Sequence, residues 1–255
     1  MELLDHFAPP VSLIRDWPDL HTMWPAAVSE LLNELLVPPW HAQASLHFQR
    51  EVDVAGVYAP AAEPHFEGDT PEMFDAPPAD GEVLLNPLVD DLEIEVIRLR
   101  GGKELVAAVE FASPANLDRP ESRAGFAAKC EALLARGIGV AMVDVVTEKN
   151  FSLYAALMHR LGEPGPPVDC LYAASFHPVA EKPSGDWKAE YWYRPLSVGG
   201  PLPTLPLFLR DGPTIELNLQ ASYDLALQRS RLLRDLERLR AAGAAAAGET
   251  SAPVG

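Results

Sequence analysis

Several charged side chains of this 255-residue chain stand where the surrounding apolar pattern does not call for them. Glu110 closes the run Leu-Val-Ala-Ala-Val-Glu at the end of an expected strand. A carboxylate there is costly to bury unless it is paired, protonated or bound to a metal. Asp53 sits between Val52 and Val54, and Lys129 falls at the edge of the apolar stripe of an expected helix, about 100° from the stripe's centre. Mg²⁺ prefers oxygen ligands and keeps several waters. Asp53 and Glu110 could hold it against a phosphodiester, while Lys129 orients or helps deprotonate an attacking water and neutralises developing charge. Each residue also has a plainer role: a salt-bridged or rim-exposed Glu110, an edge-strand Asp53, and a Lys129 that snorkels to solvent.

Four further residues gather around this trio in sequence. Ser113-Pro114-Ala115-Asn116 follows Glu110; Ser113 and Asn116 offer polar groups to that corner, or simply form a helix-entry turn. His21, in Trp17-Pro-Asp19-Leu-His21, serves either a pocket or the packing of a helix start that Asp19 caps. Asp144 interrupts an otherwise apolar strand and is either hydrogen-bonded locally or turned to the same cleft.

The elements that must position these groups follow from periodicity. Residues 22–37 carry a helical apolar pattern with Pro25 in the first turn, and residues 43–58 read as extended. Residues 59–91 are rich in Pro, Ala and acids, which marks an excursion or lid. Strands are expected at 92–99 and 104–112, joined at Gly101-Gly102. The next helix is capped by Asp118 with Glu121 at capping-box spacing, carries Pro120 in its first turn, and ends at Gly137. Ile138 to Val146 then reads as a strand buried on both faces. A helix at 149–161, strands at 170–178, 188–194 and 214–217, a Pro-rich extended segment at 195–213 and a helix at 220–241 complete a single α/β domain over residues 1–242, with a disordered tail at 243–255.

Composition narrows the partners. The formal charge is -17, and eleven acids with no Lys or Arg lie between Pro60 and Glu95, so the remainder is only mildly acidic. Such a charge disfavours nucleic acid without excluding it, and leaves a protein partner open. No run of 18 apolar residues exists, and the first residues lack the pattern of a signal peptide. Cys130 and Cys170 form no metal or disulfide spacing and read as buried thiols, which fits a cytoplasmic location.

Three stretches carry a resemblance. Ala-Val-Glu110-Phe-Ala-Ser-Pro-Ala-Asn116, Lys129-Cys-Glu-Ala-Leu-Leu-Ala-Arg-Gly137 and Val143-Asp144 resemble the core of a bacterial family, domain of unknown function 4058. Trp17-Pro-Asp19-Leu-His21, Leu202-Pro-Thr-Leu-Pro206 and Ala221-Ser-Tyr-Asp224 resemble its outer parts, so the likeness runs over residues 13–232. The central motif is in turn similar to Uma-type endonucleases of the PD-(D/E)xK superfamily. The resemblance implies an α/β fold with a central mixed sheet flanked by helices and a restriction-endonuclease-like core. It implies Asp53 and Glu110 as Mg²⁺ ligands and Lys129 as a lysine migrated from the strand to the following helix. Ala112 stands where the superfamily's lysine is usual, and Leu117 where the family has lysine. The expectation is therefore a nuclease-like domain, either a divalent-metal-dependent phosphodiesterase with a degenerate site or a non-catalytic binding or assembly module on the same fold.

Overall fold

The computed structural model describes residues 1–15, 17–37, 39–45, 54–60, 75–85, 103–163, 171–180 and 187–249. Its centre is a mixed sheet of seven strands, and the strand that ends in Glu110 is internal to it. In chain order the described elements are α1 (Trp17–Leu35), β1 (His41–Ser45), β2 (Val54–Pro60), β3 (Gly81–Leu85), β4 (Lys103–Phe111), α2 (Pro114–Asp118), α3 (Pro120–Leu134), β5 (Gly139–Asp144), α4 (Leu153–Arg160), β6 (Leu171–Ala180), β7 (Trp187–Leu196), β8 (Thr204–Phe208), β9 (Thr214–Asn218), α5 (Leu219–Ser230) and α6 (Leu232–Glu249). The sheet order is β1-β2-β4-β5-β6-β7-β3, and β8-β9 form a separate hairpin. β4 and β5 run parallel, while the other neighbouring pairs are antiparallel. No helix among the described residues is long and apolar enough to cross a membrane.

Two apolar layers clothe the sheet. On one face, α1, α5 and the β8–β9 hairpin enclose Trp24, Phe111, Val143, Leu207, Leu217 and Tyr223. On the other, α3 and α4 pack over Ala108, Val140, Met142, Tyr172 and Phe176. Strand alternation divides β4 between them: Ala107, Val109 and Phe111 face α1, and Ala108 and Ala112 face α3. Val106 is skipped in the ladder, since Tyr58 pairs with Leu105 and Val57 with Ala107. That bulge sets the parity for the rest of β4. The carbonyl of Val106 is not wasted: the Arg210 N–H donates to it at 2.9 Å.

Several expected boundaries move. α1 begins at Trp17, so Pro25 lies inside the helix and Asp19 in its first turn, where it pairs with Arg15 at 3.2 Å rather than capping. Pro18 lies in the same first turn, where its missing N–H costs nothing. Asp118 caps no helix. It is the last residue of α2, a short helix capped by Ser113 through a capping box with Asn116, and α3 starts at Pro120 with Arg119 at its N-cap and no side-chain cap. Asp118 faces Lys149 at 3.2 Å instead. Gly81–Leu85, inside the expected excursion, is an edge strand on β7. Thr204–Phe208 in the Pro-rich segment pairs with β9. The last helix is two helices, broken at Arg231, whose φ of 58° is left-handed, and α6 continues through the Ala-rich stretch expected to fray as far as Glu249. The expected strand at 92–99, Gly101-Gly102 and Cys170 lie outside the described residues.

Gly137 does end the α3 segment, with φ 76°. Its N–H donates to Leu134 O and that of Ile138 to Leu133 O, closing the last carbonyls before β5. Gly139 has a different reason to be glycine. A Cβ there would overlap the Phe208 carbonyl oxygen, because β8 crosses β5 at that point. Gly139→Ala is expected to destabilise the protein by about 1–3 kcal/mol through overpacking, read as a lower urea midpoint with an unchanged slope. An unchanged midpoint would show that β8 yields freely.

Candidate functional site

Glu110 sits where the β4 alternation turns it toward α3. It lies opposite Met142 on β5 and Val54 on β2, both by backbone register. The side chain is 1% exposed, and Lys129 Nζ comes within 2.6 Å of Oε1. Lys129 lies in the middle of α3, and α3 packs over β5 and β6. The lysine reaches across to β4 while keeping 26% of its side chain open to solvent. Strand, turn and helix therefore bring Glu110 and Lys129 together as an ion pair, closed toward the core and open toward water at the lysine end.

Asp144 belongs to the same face. It follows Met142 by two residues along β5 and stands opposite Tyr172 in the ladder with β6. Its carboxylate accepts the Val146 N–H at 3.1 Å. Burial pushes its pKa up to about 7, against the lowering effect of that hydrogen bond. The local hydrogen bond is the first of the two sequence alternatives for Asp144, and alternation along β5 places it on the face of the sheet to which Glu110 is turned. The Cys130 thiol, fully buried under α3, is pushed up by burial first and then by the nearby Glu110 charge. Tyr172 is likewise raised, by burial and by Asp144.

Ser113 and Asn116 serve each other. The Ser113 N–H and Oγ–H both lie 2.9 Å from Asn116 Oδ1, and the Asn116 N–H lies 3.4 Å from Ser113 Oγ. Their geometry is that of the helix-entry turn, next to Glu110 in the chain. His21 is on the other side of the sheet end. Its Nε2 is 3.4 Å from the Phe111 carbonyl oxygen, and its ring lies against Trp17 at 4.9 Å. Asp53 lies outside the described residues, immediately before the first residue of β2.

Sequence reasoning passed over His6. It stands in the N-terminal arm, with no periodic pattern around it, and nothing local distinguishes it. The arm is tied down by Leu3, whose N–H donates to Gly200 O and whose carbonyl accepts from the Gly199 N–H. Thr147 Oγ–H donates to Asp5 at 2.7 Å, fixing the arm to the segment after β5. His6 Nε2 is 2.7 Å from the Tyr223 hydroxyl, and burial lowers its pKa to about 4, against the raising effect of Asp5.

Among the described residues, no group of three or more His, Cys, Asp or Glu side chains is gathered as a metal site. Comparisons with protein-family models, with curated proteins and with solved structures gave no match.

Asp144 and His6 oppose each other in pH dependence. Asp144 holds its proton more tightly when folded than its ordinary value of 3.8 allows, so its contribution falls as pH rises from about 4 to about 7. His6 binds its proton less well when folded, so its contribution rises from about pH 4 to 6.5. Asp144→Asn is therefore expected to gain stability relative to the parent chain progressively between pH 4 and 7, by up to about 4 kcal/mol. Urea unfolding of both proteins across that range measures the difference, and a constant offset would mean that Asp144 is ionised in the fold.

Proposed function

We propose that this chain is a nuclease-like domain in which Glu110 and Lys129 are the acid and the lysine of a divalent-metal phosphodiesterase centre, retained in reduced form. The observation that carries this reading is the 2.6 Å contact between a strand-end carboxylate and a lysine of the following helix. This is the relation expected when the lysine of a strand motif moves to the neighbouring helix. The chain order is α1-β1-β2-β3-β4-α2-α3-β5, with β4 and β5 parallel; it is in keeping with a restriction-endonuclease-like core if β3, at the far edge of the sheet, and the single-turn α2 count as insertions.

The donor set is compatible with Mg²⁺. Glu110 offers a hard oxygen donor, and Mg²⁺ in phosphate-handling sites is held by only one or two carboxylates besides water and substrate. Glu110 would hold the ion, with Asp53 as the second ligand implied by the resemblance. The ion would polarise the phosphoryl oxygen and lower the pKa of a bound water. Lys129 would meet the developing negative charge from its solvent-open side, and its ammonium is the counter-charge to Glu110 in a buried setting.

One observation favours the alternative, a non-catalytic binding or assembly module. Glu110 is almost wholly enclosed and already neutralised by Lys129. Leu117, at the position of the family's second lysine, is 1% exposed and part of the core. A chain that had given up catalysis would keep the ion pair for the fold, since removing one partner of a buried pair costs about 3–5 kcal/mol.

Calorimetric titration with MnCl₂ and MgCl₂ separates the two readings. The metal-site reading expects saturable heat in the parent chain and its loss in Glu110→Gln, together with Mn²⁺-dependent cleavage of single- or double-stranded DNA that Lys129→Met lowers at least about 100-fold. Equal heats in the parent and Glu110→Gln would remove Glu110 from any metal site. No heat in a folded parent chain would leave the binding-module reading.

A further inference from the structure

β1 ends the sheet, with β2 on its inner side. In an antiparallel ladder the N–H and carbonyl of one residue point to the same side, and successive residues alternate between the partner strand and the outside. His41 and Gln43 stand opposite Tyr58 and Gly56, and Ala42 stands opposite Val57. Both backbone groups of Ala42 are taken up by Asn33 of α1. The Ala42 N–H donates to Asn33 Oδ1 at 2.7 Å, and Asn33 Nδ2 donates to the Ala42 carbonyl oxygen at 2.8 Å. Ala42 therefore turns its pairing groups away from β2, and Ala44, two residues on, turns its own the same way.

The Asn33 amide offers one acceptor and one donor in a plane, as the peptide group of an added strand would. The two bonds also fix which end of that amide is oxygen, since a backbone N–H needs an acceptor and a carbonyl needs a donor. The side chain is a one-residue imitation of a neighbouring strand. It sits at the surface: Asn33 and Ala44 are exposed, while the Ala42 side chain belongs to the core.

An uncovered edge is a template for a strand of another chain, and proteins protect edges with lysine, proline, other charged side chains or bulges. β1 reads His41-Ala-Gln-Ala-Ser, with no Lys, Arg, Pro, Asp or Glu. Its register with β2 runs without a shift from His41 to Ser45. Two such strands meeting antiparallel would bring no carboxylate or ammonium of their own into repulsive contact.

We propose that Asn33 is the guard of this edge. It holds the outward groups of Ala42, and its release opens β1 to the β1 strand of a second copy of this chain, paired antiparallel about a two-fold axis.

The test compares the full chain with its variants by size-exclusion chromatography and light scattering across a wide range of concentration. Circular dichroism and urea unfolding report the fold. Asn33→Ala removes both bonds and keeps a strong helix former at that position. Its mass is expected to rise with concentration toward about twice that of the parent chain. Adding Ala44→Lys places a charge on the exposed edge of each copy, and is expected to return the mass to the parent's. Ala44→Lys alone is expected to leave the parent's mass unchanged, because that edge is already closed. A folded Asn33→Ala with the parent's mass at every concentration would reduce Asn33 to a tie between α1 and β1. Association that Ala44→Lys does not reverse would put the contact elsewhere. A lower mass in Ala44→Lys alone would mean that the parent's edge is already paired. Each of these results overturns the proposal. If Asn33→Ala does not fold, Asn33→Ser takes its place, since a single oxygen cannot stand in both positions of the amide. Failure of both to fold would overturn the proposal as well, by making Asn33 a requirement of the fold itself.

Discussion

Two neighbouring strands that run parallel cannot be joined by a hairpin, and the pairing of β4 with β5 imposes that constraint on the middle of this chain. The connection must leave the end of β4, cross one face of the sheet and return to the start of β5. Residues 112–138 do this with a Ser113-capped turn of helix, the long α3 and a left-handed Gly137. The crossover is short, so α3 has little choice of position. It lies back over the strands it connects and carries Lys129 toward Glu110, a charged side chain that β4 turns to that face. The ion pair is a consequence of the crossover, and it also holds the crossover down, because displacing α3 would strand a carboxylate in the core.

The polarity of that layer is wider than the pair. Asp144 and the Cys130 thiol lie in the same apolar layer as Tyr172, and burial pushes the pKa of all three upward. Lys129 is the cation that meets Glu110 there. Burial holds the Asp144 carboxyl near neutral pH, while Glu110 meets a lysine, so the two carboxyl groups of this face have different surroundings.

Much of this was legible in the residues, and the failures have identifiable physical causes. The strand ending at Glu110, the helix carrying Lys129, the stop at Gly137 and the buried strand to Asp144 are all marked by strong local signals, and the structure has them. The cap was misread because Asp118 and Glu121 match the spacing of one capping box, while Ser113 and Asn116 make another five residues earlier with better-placed oxygens. Spacing alone does not say which of two competing caps wins. β9 was expected at 214–217, but its hairpin partner β8 was missed because prolines at 203 and 206 obscure strand alternation, although an edge hairpin tolerates them. The break at Arg231 carries no Gly or Pro and so gives no warning. His6 had no signal at all: its environment is made by Tyr223, more than two hundred residues away. Asp53, on which the metal reading leans, lies outside the described residues.

Successive residues at the end of β4 serve opposite sides of the sheet. Glu110 turns to α3 and its lysine; Phe111 turns to α1, packs on Trp24 at 5.0 Å, and lends its carbonyl oxygen to His21. One residue of register separates the charged face from the face that meets Trp24 and His21, so a slip in β4 would damage both at once. The Val106 bulge, pinned by the Arg210 N–H, is what fixes that register from the other end of the strand. Backbone pairing between β4 and its neighbours then transmits the choice from Ala107 to Phe111. A perturbation at Val106 or Arg210, remote from Glu110 and from Trp17, would therefore be felt in both places through parity alone, with no chain of side-chain contacts between them.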